Sequence, residues 1–255
     1  MMHAKCFFLY GLTTCRFRTL LLMPDWRIFS TEMYESLHPF TPENRFEVSV
    51  NFYEKYCLPH LVNCACGLKP IVGMRQKVVP LAEGKVLEVG MGGALNLPFY
   101  DPEKVDLVWG LEPSEGMRRL ARKNLQRASI DVRWIALPAG EIPLEDESVD
   151  TVLLTFTLCT IPDWREALRQ MRRVLKPEGR LIFCEHGAAP DETVRRWQER
   201  LTPYWKRIAG GCHLDRPIPE YIEEAGFRFT GMETGYLRGV PRIAGFNYWG
   251  TASKG

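Results

Sequence analysis

The chain has 255 residues, 45% apolar and 25% charged, with a net charge of +2 and eight cysteines. That length holds one well-packed domain with a cap rather than two full domains, and so small a charge gives no electrostatic footprint for nucleic acid. The cysteines make no C-x-x-C pair and no spacing of a secreted disulfide framework, so a reducing, cytoplasmic compartment is expected.

In chain order, residues 1–45 read as a weakly structured N-terminal extension. Met1 to Pro24 contains no acidic residue, carries Lys5, Arg16 and Arg18, and has no apolar run near the roughly 20 residues needed to cross a bilayer. Three readings stand for it. One is a signal peptide with Cys6 to Leu12 as its apolar region. Another is a weak peripheral membrane anchor through Phe7, Phe8 and Leu20 to Leu22. The favoured one is a poorly ordered extension, for which an upstream start codon is one origin, with Met23 or Met33 as alternative initiators. Pro39 to Asn44 reads as a linker into the domain proper, residues 46–255. That domain divides into a cap helix within 46–80 and a core over 81–255. In the cap, Phe52, Tyr53, Tyr56, Cys57, His60, Leu61 and Cys64 recur at helical intervals. Cys57, His60 and Cys64 share a face at metal-ligand spacing, but without a second ligand cluster they read as packing, and no metal centre is expected.

Val86 to Val89 is an apolar strand carrying Glu88, and it runs into Gly90-Met91-Gly92-Gly93 and then an expected helix. A second strand, Asp106 to Leu111, ends on Glu112. Glycines at the carboxyl edge of a parallel sheet let backbone approach a nucleotide-like ligand, and a carboxylate about 20 residues on accepts from ribose hydroxyls. The third glycine of a dinucleotide fingerprint is replaced by Leu95, and Glu88 would repel a pyrophosphate. A ribose-bearing cofactor with a cationic amino acid end fits better. Alternation then continues: helix Ser114 to Gln126, strand Ile130 to Leu137, loop Ala139 to Pro143 and strand Val149 to Leu158. Helix Trp164 to Leu175, stopped by Pro177 and Gly179, leads to strand Arg180 to Glu185. Helices Asp191 to Ile208 and Ile218 to Ala225 follow, the latter ended by Gly226 in the αL position glycine fills well. Phe227 to Glu233 and Gly245 to Ala252 close as strands. Such alternation predicts an α/β, three-layer Rossmann-like sandwich.

The Glu88-x-Gly90-x-Gly92 pattern, with Glu112 closing the next strand, resembles motif I of class I S-adenosylmethionine methyltransferases. Leu175-Lys-Pro-Glu-Gly-Arg180 resembles a segment of the type-11 methyltransferase domain, with Glu178 in place of its usual first glycine. Ile142-Pro143-Leu144 and Ser148-Val149-Asp150 resemble a stretch shared with quinone C-methyltransferases. Thr157-Leu-Cys-Thr-Ile161, Glu185-His186, Trp197-Gln198, Pro203-Tyr-Trp205 and Gly211-Cys-His-Leu-Asp-Arg216 are similar to bacterial relatives of the methyltransferase-like thiol methyltransferases. The resemblance spans about Asn51 to Ala252. It implies a seven-stranded, mostly parallel sheet with an antiparallel last strand, and S-adenosyl-L-methionine as cofactor, with S-adenosyl-L-homocysteine as product.

The resemblance also implies roles. Gly90, Met91 and Gly92 approach the methionine portion, Glu88 orients its amino group, and Asn96 either meets its carboxylate or caps the turn. Glu112 takes the ribose, Pro113, Met117, Ala139, Gly140 and Glu141 surround the adenine, and Thr157 and Leu158 face the sulfonium. Two departures stand out. Ala94 lies where a third glycine is common, so the turn must avoid a positive φ or accept strain. Pro138 replaces an acidic residue near the adenine.

His186 is the candidate catalytic base, set against a histidine bonded to a neighbouring carboxylate. His213 and Asp215 are expected to line an acceptor pocket walled by Tyr53, Tyr56, Trp205, Tyr236 and Trp249, and Cys212 is expected to pack rather than react. The expected function is methyl transfer to a small-molecule acceptor, most simply a thiol. Phospholipid or quinone-precursor methylation and a catalytically silent cofactor-binding domain are the alternatives.

Overall fold

Strand order decides where a ligand can sit. In the computed structural model, which describes residues 52–255, seven strands form one sheet in the order β3-β2-β1-β4-β5-β7-β6. They are β1 Gly84–Val89, β2 Val105–Leu111, β3 Val132–Ile135, β4 Val149–Thr155, β5 Leu175–His186, β6 Phe227–Tyr236 and β7 Phe246–Lys254. β1 is parallel to β2 and β4, β2 to β3, and β4 to β5, whereas β7 runs antiparallel to both β5 and β6. Only the last strand is reversed, as expected. The order turns back on itself between β1 and β4, which opens a crevice at their carboxyl ends. Residues 1–51, including the extension, the linker and the start of the cap, lie outside the described residues. The unit Lys55–Gly255 carries the whole sheet.

Helices cover both faces. They are α1 Leu58–Cys66, α2 Lys69–Val78, α3 Glu115–Leu125, α4 Trp164–Val174, α5 Glu192–Ile208, α6 Ile218–Glu224 and the short α7 Arg242–Gly245. The central strands alternate their apolar side chains between two cores. Leu87, Val89, Val152, Leu154, Leu181 and Phe183 pack under Ala167, Leu168 and Met171 of α4 and Ile218 and Ile222 of α6. Val86, Val108, Leu153 and Ile182 pack under Met74 and Val78 of α2 and Ala121 of α3. Burial on both faces explains why the central stretches of these strands carry apolar side chains on both faces, with Glu88 a buried exception in β1. Local signals set the helix starts. Ser114 accepts the Met117 N–H at 3.3 Å ahead of α3, and Asp163 accepts the Glu166 N–H at 3.1 Å ahead of α4. Gly226 takes φ +84° after α6, in the left-handed position expected of it.

Three expectations change. The cap is two helices, broken at Gly67 and Leu68 ahead of Pro70, because a proline suits the first turn of a helix and not its interior. No regular helix follows β1: turns lead to a 3-10 turn, Leu97–Phe99, so Asn96 precedes a short turn instead of lying on a helix. β5 begins at Leu175, directly after α4, with Leu175 paired to Val149. Lys176 to Gly179, expected to stop the helix, are thus part of an extended run. Among the described residues, no helix is long and apolar enough to cross a membrane.

Candidate functional site

The turn after β1 lies at the β1/β4 crevice and is held by backbone. The Gly90 and Met91 N–H groups both donate to the Leu111 carbonyl, at 2.8 and 3.1 Å. Gly90 and Gly92 have φ of +71° and +57°, where a Cβ would be strained. Ala94 also has φ +57°, so the turn takes the strain that the sequence left open. A Cβ on Gly93 would lie 1.9 Å from Asn63 Oδ1, because α1 packs directly onto the turn. Asn63 of α1, the first of the two cap helices, thus lies against the glycine turn.

Behind the turn lies a buried polar network that the sequence did not reveal. Glu88 Oε1 accepts from Asn96 Nδ2 at 2.9 Å and Oε2 from the Tyr100 hydroxyl at 2.6 Å. Arg75, on α2 and nearly buried, donates through Nη1 to Asn96 Oδ1 at 2.6 Å and Thr155 Oγ1 at 2.9 Å. Asn96 is fully buried, with both ends of its amide bonded to protein, and it caps no helix. Burial pushes the Glu88 carboxyl up to about 7, against the Tyr100 and Asn96 hydrogen bonds and the nearby Arg75 charge.

Glu112 is also nearly buried. Its Oε2 accepts the Gly92 N–H at 3.0 Å and its Oε1 the Ser114 N–H at 2.8 Å, which fixes the carboxylate against the turn. Burial raises its pKa against these two bonds. Arg118 Nη1 donates to the carbonyls of Glu112 and Pro113 at 2.6 and 2.8 Å, locking the strand end. The Met117 methyl lies 3.1 Å from where a Cβ on Gly92 would stand. Beyond β3, Ala139 is buried, Gly140 half-buried and Glu141 exposed, with the Glu141 N–H on the Pro138 carbonyl at 2.9 Å.

The other wall comes from the ends of β4 and β5. β4 stops at Thr155, short of the expected Leu158, because Phe156 adopts φ +57° and turns the chain out of the sheet. Thr157 packs so closely on the glycine turn that a Cβ on Gly90 would meet its side chain at 2.3 Å. Its N–H donates to Glu185 Oε1 at 2.7 Å, while Leu158 is fully buried in the core. Glu185 Oε2 has no hydrogen-bond partner, and burial raises that carboxyl against the N–H groups of Thr157, Leu158 and Cys159.

His186 meets a thiol here rather than a carboxylate: Nε2 is 3.2 Å from Cys212 Sγ, and Cys212 Sγ is 3.8 Å from Cys159 Sγ. The Cys159 contact lowers the Cys212 pKa, burial opposes this, and the Trp205 side chain adds to the lowering. Burial would lower His186, but Cys159 and Glu185 more than offset it and leave it raised. Two residues quoted only as part of a resemblance fix the walls. Arg216 donates through Nη1 to the carbonyls of Leu158 and, at 2.7 Å, Ile161. The fully buried Gln198 accepts the Ala189 N–H at 2.8 Å and donates to the carbonyls of Gly187 and Ile243, both at 3.0 Å. His213 contacts the Cys159 carbonyl through Nδ1 at 3.2 Å. Tyr236 bonds Asp191 at 2.5 Å and Trp249 lies under Lys77 at 4.9 Å, so these two expected wall residues have partners of their own. Cys57 is exposed, and the only His, Cys, Asp or Glu group gathered at ligand spacing among the described residues is Cys159, His186 and Cys212.

A family model for a methyltransferase domain matches residues 87–183. The chain is 35% identical over 156 residues to the thiol S-methyltransferase TMT1B of Rattus norvegicus, covering 59% of this chain and 63% of that protein. It thus spans under two thirds of that relative's length. It is 31% identical over 180 residues to the demethylmenaquinone methyltransferase of Clavibacter sepedonicus, covering 69% of this chain and 70% of that protein. The fold matches that of geranyl diphosphate methyltransferase in complex with S-adenosylmethionine, with TM-score 0.55 and 11% identity, over 72% of this chain and 84% of that one.

Proposed function

This chain belongs to the family of class I S-adenosylmethionine-dependent methyltransferases, and on that premise we propose that it methylates a small thiol. The observation that carries the cofactor reading is Glu112, a nearly buried carboxylate after β2 that two backbone N–H groups hold against the glycine turn that follows β1. S-adenosylmethionine supplies a methyl group activated by its sulfonium. The residues fit it. A Cβ on Gly92 would meet only the Met117 methyl at 3.1 Å and the Gly90 carbonyl at 3.8 Å, so the turn offers bare backbone. An ammonium group beside Glu88 would offset the burial that raises its carboxyl to about 7 and favour its charged form.

In this reading Glu112 accepts from the ribose hydroxyls, and Gly90, Met91 and Gly92 approach the methionine portion. Glu88 attracts the ammonium through the network that Asn96 and Tyr100 complete. Pro113, Met117, Ala139, Gly140 and Glu141 flank the adenine, and Thr157 and Leu158 back the sulfonium. In-line displacement needs chiefly alignment and exclusion of water. A thiol, with pKa near 8.5, needs little help to ionise, and His186 stands ready to take its proton.

The thiol S-methyltransferase relatives support this acceptor. The demethylmenaquinone methyltransferase match covers more of the chain and supports a quinone precursor as the second reading. Incubation with labelled S-adenosylmethionine and a panel of benzyl mercaptan, hydrogen sulfide, a naphthoquinol and phosphatidylethanolamine vesicles separates them by product mass spectrometry. Thiol methylation is expected, rising with pH as thiolate accumulates. Turnover of the quinol or the lipid with none of any thiol would overturn this reading.

A further inference from the structure

Three segments far apart in sequence bring soft donor atoms to one point. Cys159 follows β4, His186 ends β5 and Cys212 lies beyond α5, and their ligand atoms all lie within 4.8 Å of one another. Two of the three separations come close to those that a tetrahedral zinc ion requires. Zn–S bonds near 2.3 Å at a tetrahedral angle require sulfurs roughly 3.8 Å apart, and a sulfur–nitrogen edge of roughly 3.5 Å. The two sulfurs here are 3.8 Å apart, and Cys212 Sγ is 3.2 Å from His186 Nε2.

The surroundings favour a cation. Glu185, adjacent in the chain and fully buried, keeps Oε2 without a partner, and His186 Nδ1 is buried without one as well. The nearby Arg216 directs its Nη1 to the Leu158 and Ile161 carbonyls and not to the sulfurs. Two thiols and a carboxylate in a desolvated place are matched by a divalent ion, and thiolate with imidazole selects a borderline-soft one over magnesium or calcium.

We propose that Cys159, His186 and Cys212 bind a zinc ion and that the acceptor's sulfur takes the fourth coordination position. Three protein ligands with an exchangeable fourth are the pattern of a reactive zinc site rather than a structural one. The inference rests on the thiol reading above, but it replaces His186 as the proton acceptor named there with zinc as the group that activates the thiol. The acceptor's S–H bond breaks as its sulfur–zinc bond forms, and the proton leaves to solvent, since a coordinating thiol is deprotonated outright. The sulfur's electron pair then forms the new S–CH3 bond while the sulfonium C–S bond breaks. That bond's electron pair stays on the departing S-adenosylhomocysteine sulfur. Zinc keeps its oxidation state, and the neutral thioether product, a poorer ligand than thiolate, is released. Position agrees with this: Cys159 comes two residues after Thr157, whose side chain lies against Gly90 of the glycine turn.

Cobalt(II), added to the reduced, metal-free full chain, is the probe. We expect one equivalent to bind with near-ultraviolet thiolate-to-cobalt bands and the visible bands of a tetrahedral ion. Benzyl mercaptan should shift those visible bands with no cofactor present. Cys212→Ser and His186→Gln should each weaken cobalt binding by on the order of 100-fold or more, while S-adenosylhomocysteine calorimetry and melting temperature report that the variants are folded. Absence of cobalt binding to the wild-type chain, or bands indifferent to the thiol, would overturn the proposal whatever the variants do. Product mass spectrometry on the same samples keeps the two readings apart. Undiminished thiol methylation by metal-free protein removes the zinc and leaves the thiol acceptor standing. Cobalt bound as described with no methylation of any thiol removes the acceptor's role and, with it, the thiol reading.

Discussion

The two walls of the crevice are built on opposite plans. The β1–β2 wall gathers Glu88, Gly90, Gly92, Asn96, Tyr100 and Glu112 from one stretch of 25 residues, and both carboxylates there have both oxygens bonded to protein. The β4–β5 wall draws Thr157, Cys159, Glu185, His186 and Cys212 from segments more than 20 residues apart, and Glu185 Oε2 and His186 Nδ1 are buried without partners. The carboxylates of the first wall are preorganised before any ligand arrives, and the unpartnered buried atoms near it, Arg75 Nε and Asn63 Oδ1, belong to the helices behind and above it. The second wall holds polar atoms whose satisfaction depends on what binds, as expected where the chemistry takes place.

If that contrast is real, the first wall should carry large stability terms of its own. Arg75→Met should have the largest effect. It strips Asn96 and Thr155 of a charged donor beside a buried carboxylate, and unfolding free energy should fall by about 3–5 kcal/mol in denaturant titrations. A loss below about 1 kcal/mol would mean the network is not the brace described.

Glu88 comes next. Its folded pKa of about 7 stands above the ordinary 4.5, so its contribution to stability is fully present below about 4.5 and is lost as pH rises through about 7. The wild-type chain should therefore lose up to about 3 kcal/mol across that window relative to Glu88→Gln. Denaturation of both proteins at a series of pH values tests this, and a constant difference between them would contradict it. Cofactor affinity should move the other way, rising with pH and failing in Glu88→Gln.

Glu112→Ala should weaken S-adenosylmethionine binding by about 1.5–3 kcal/mol, the range for hydrogen bonds to a charged group. Calorimetry on a folded variant with unchanged affinity would remove the ribose assignment. The smallest effect belongs to Ala94→Gly. Relief of φ +57° is worth about 1–2 kcal/mol, offset by about 0.5–1 kcal/mol of added chain entropy, so a melting temperature higher by a few degrees is expected. A lower one would show that the alanine methyl contributes more by packing than the backbone loses by strain.

The same contrast explains what was legible in the sequence. Strand–helix alternation, the glycine turn and Glu112 are local patterns, and apart from the helix expected after β1 each stands where the sequence puts it. Arg75 was hidden because a lone arginine in an amphipathic helix looks like any surface cation, and only the fold turns it beneath Glu88. Cys57, His60 and Cys64 had helical spacing, yet Cys57 ends exposed. The cysteines that do converge, Cys159 and Cys212, are 53 residues apart and share no spacing rule. The missing helix after β1 has a local cause: Gly92-Gly93 sit inside a segment of only seven residues, Gly90 to Asn96, and Pro98 follows it.

The contact between Thr157 and Gly90 ties the histories of the two walls together. Any side chain at 90 collides with Thr157 and also inherits φ +71°, so substitutions at the two positions cannot act independently. Trimming Thr157 to glycine should restore to Gly90→Ala only the share of its loss that comes from collision, leaving the backbone share in place. A double-mutant cycle read by denaturation would separate the two shares. Along a lineage, therefore, residue 157 can become smaller while 90 stays glycine, but 90 cannot change first.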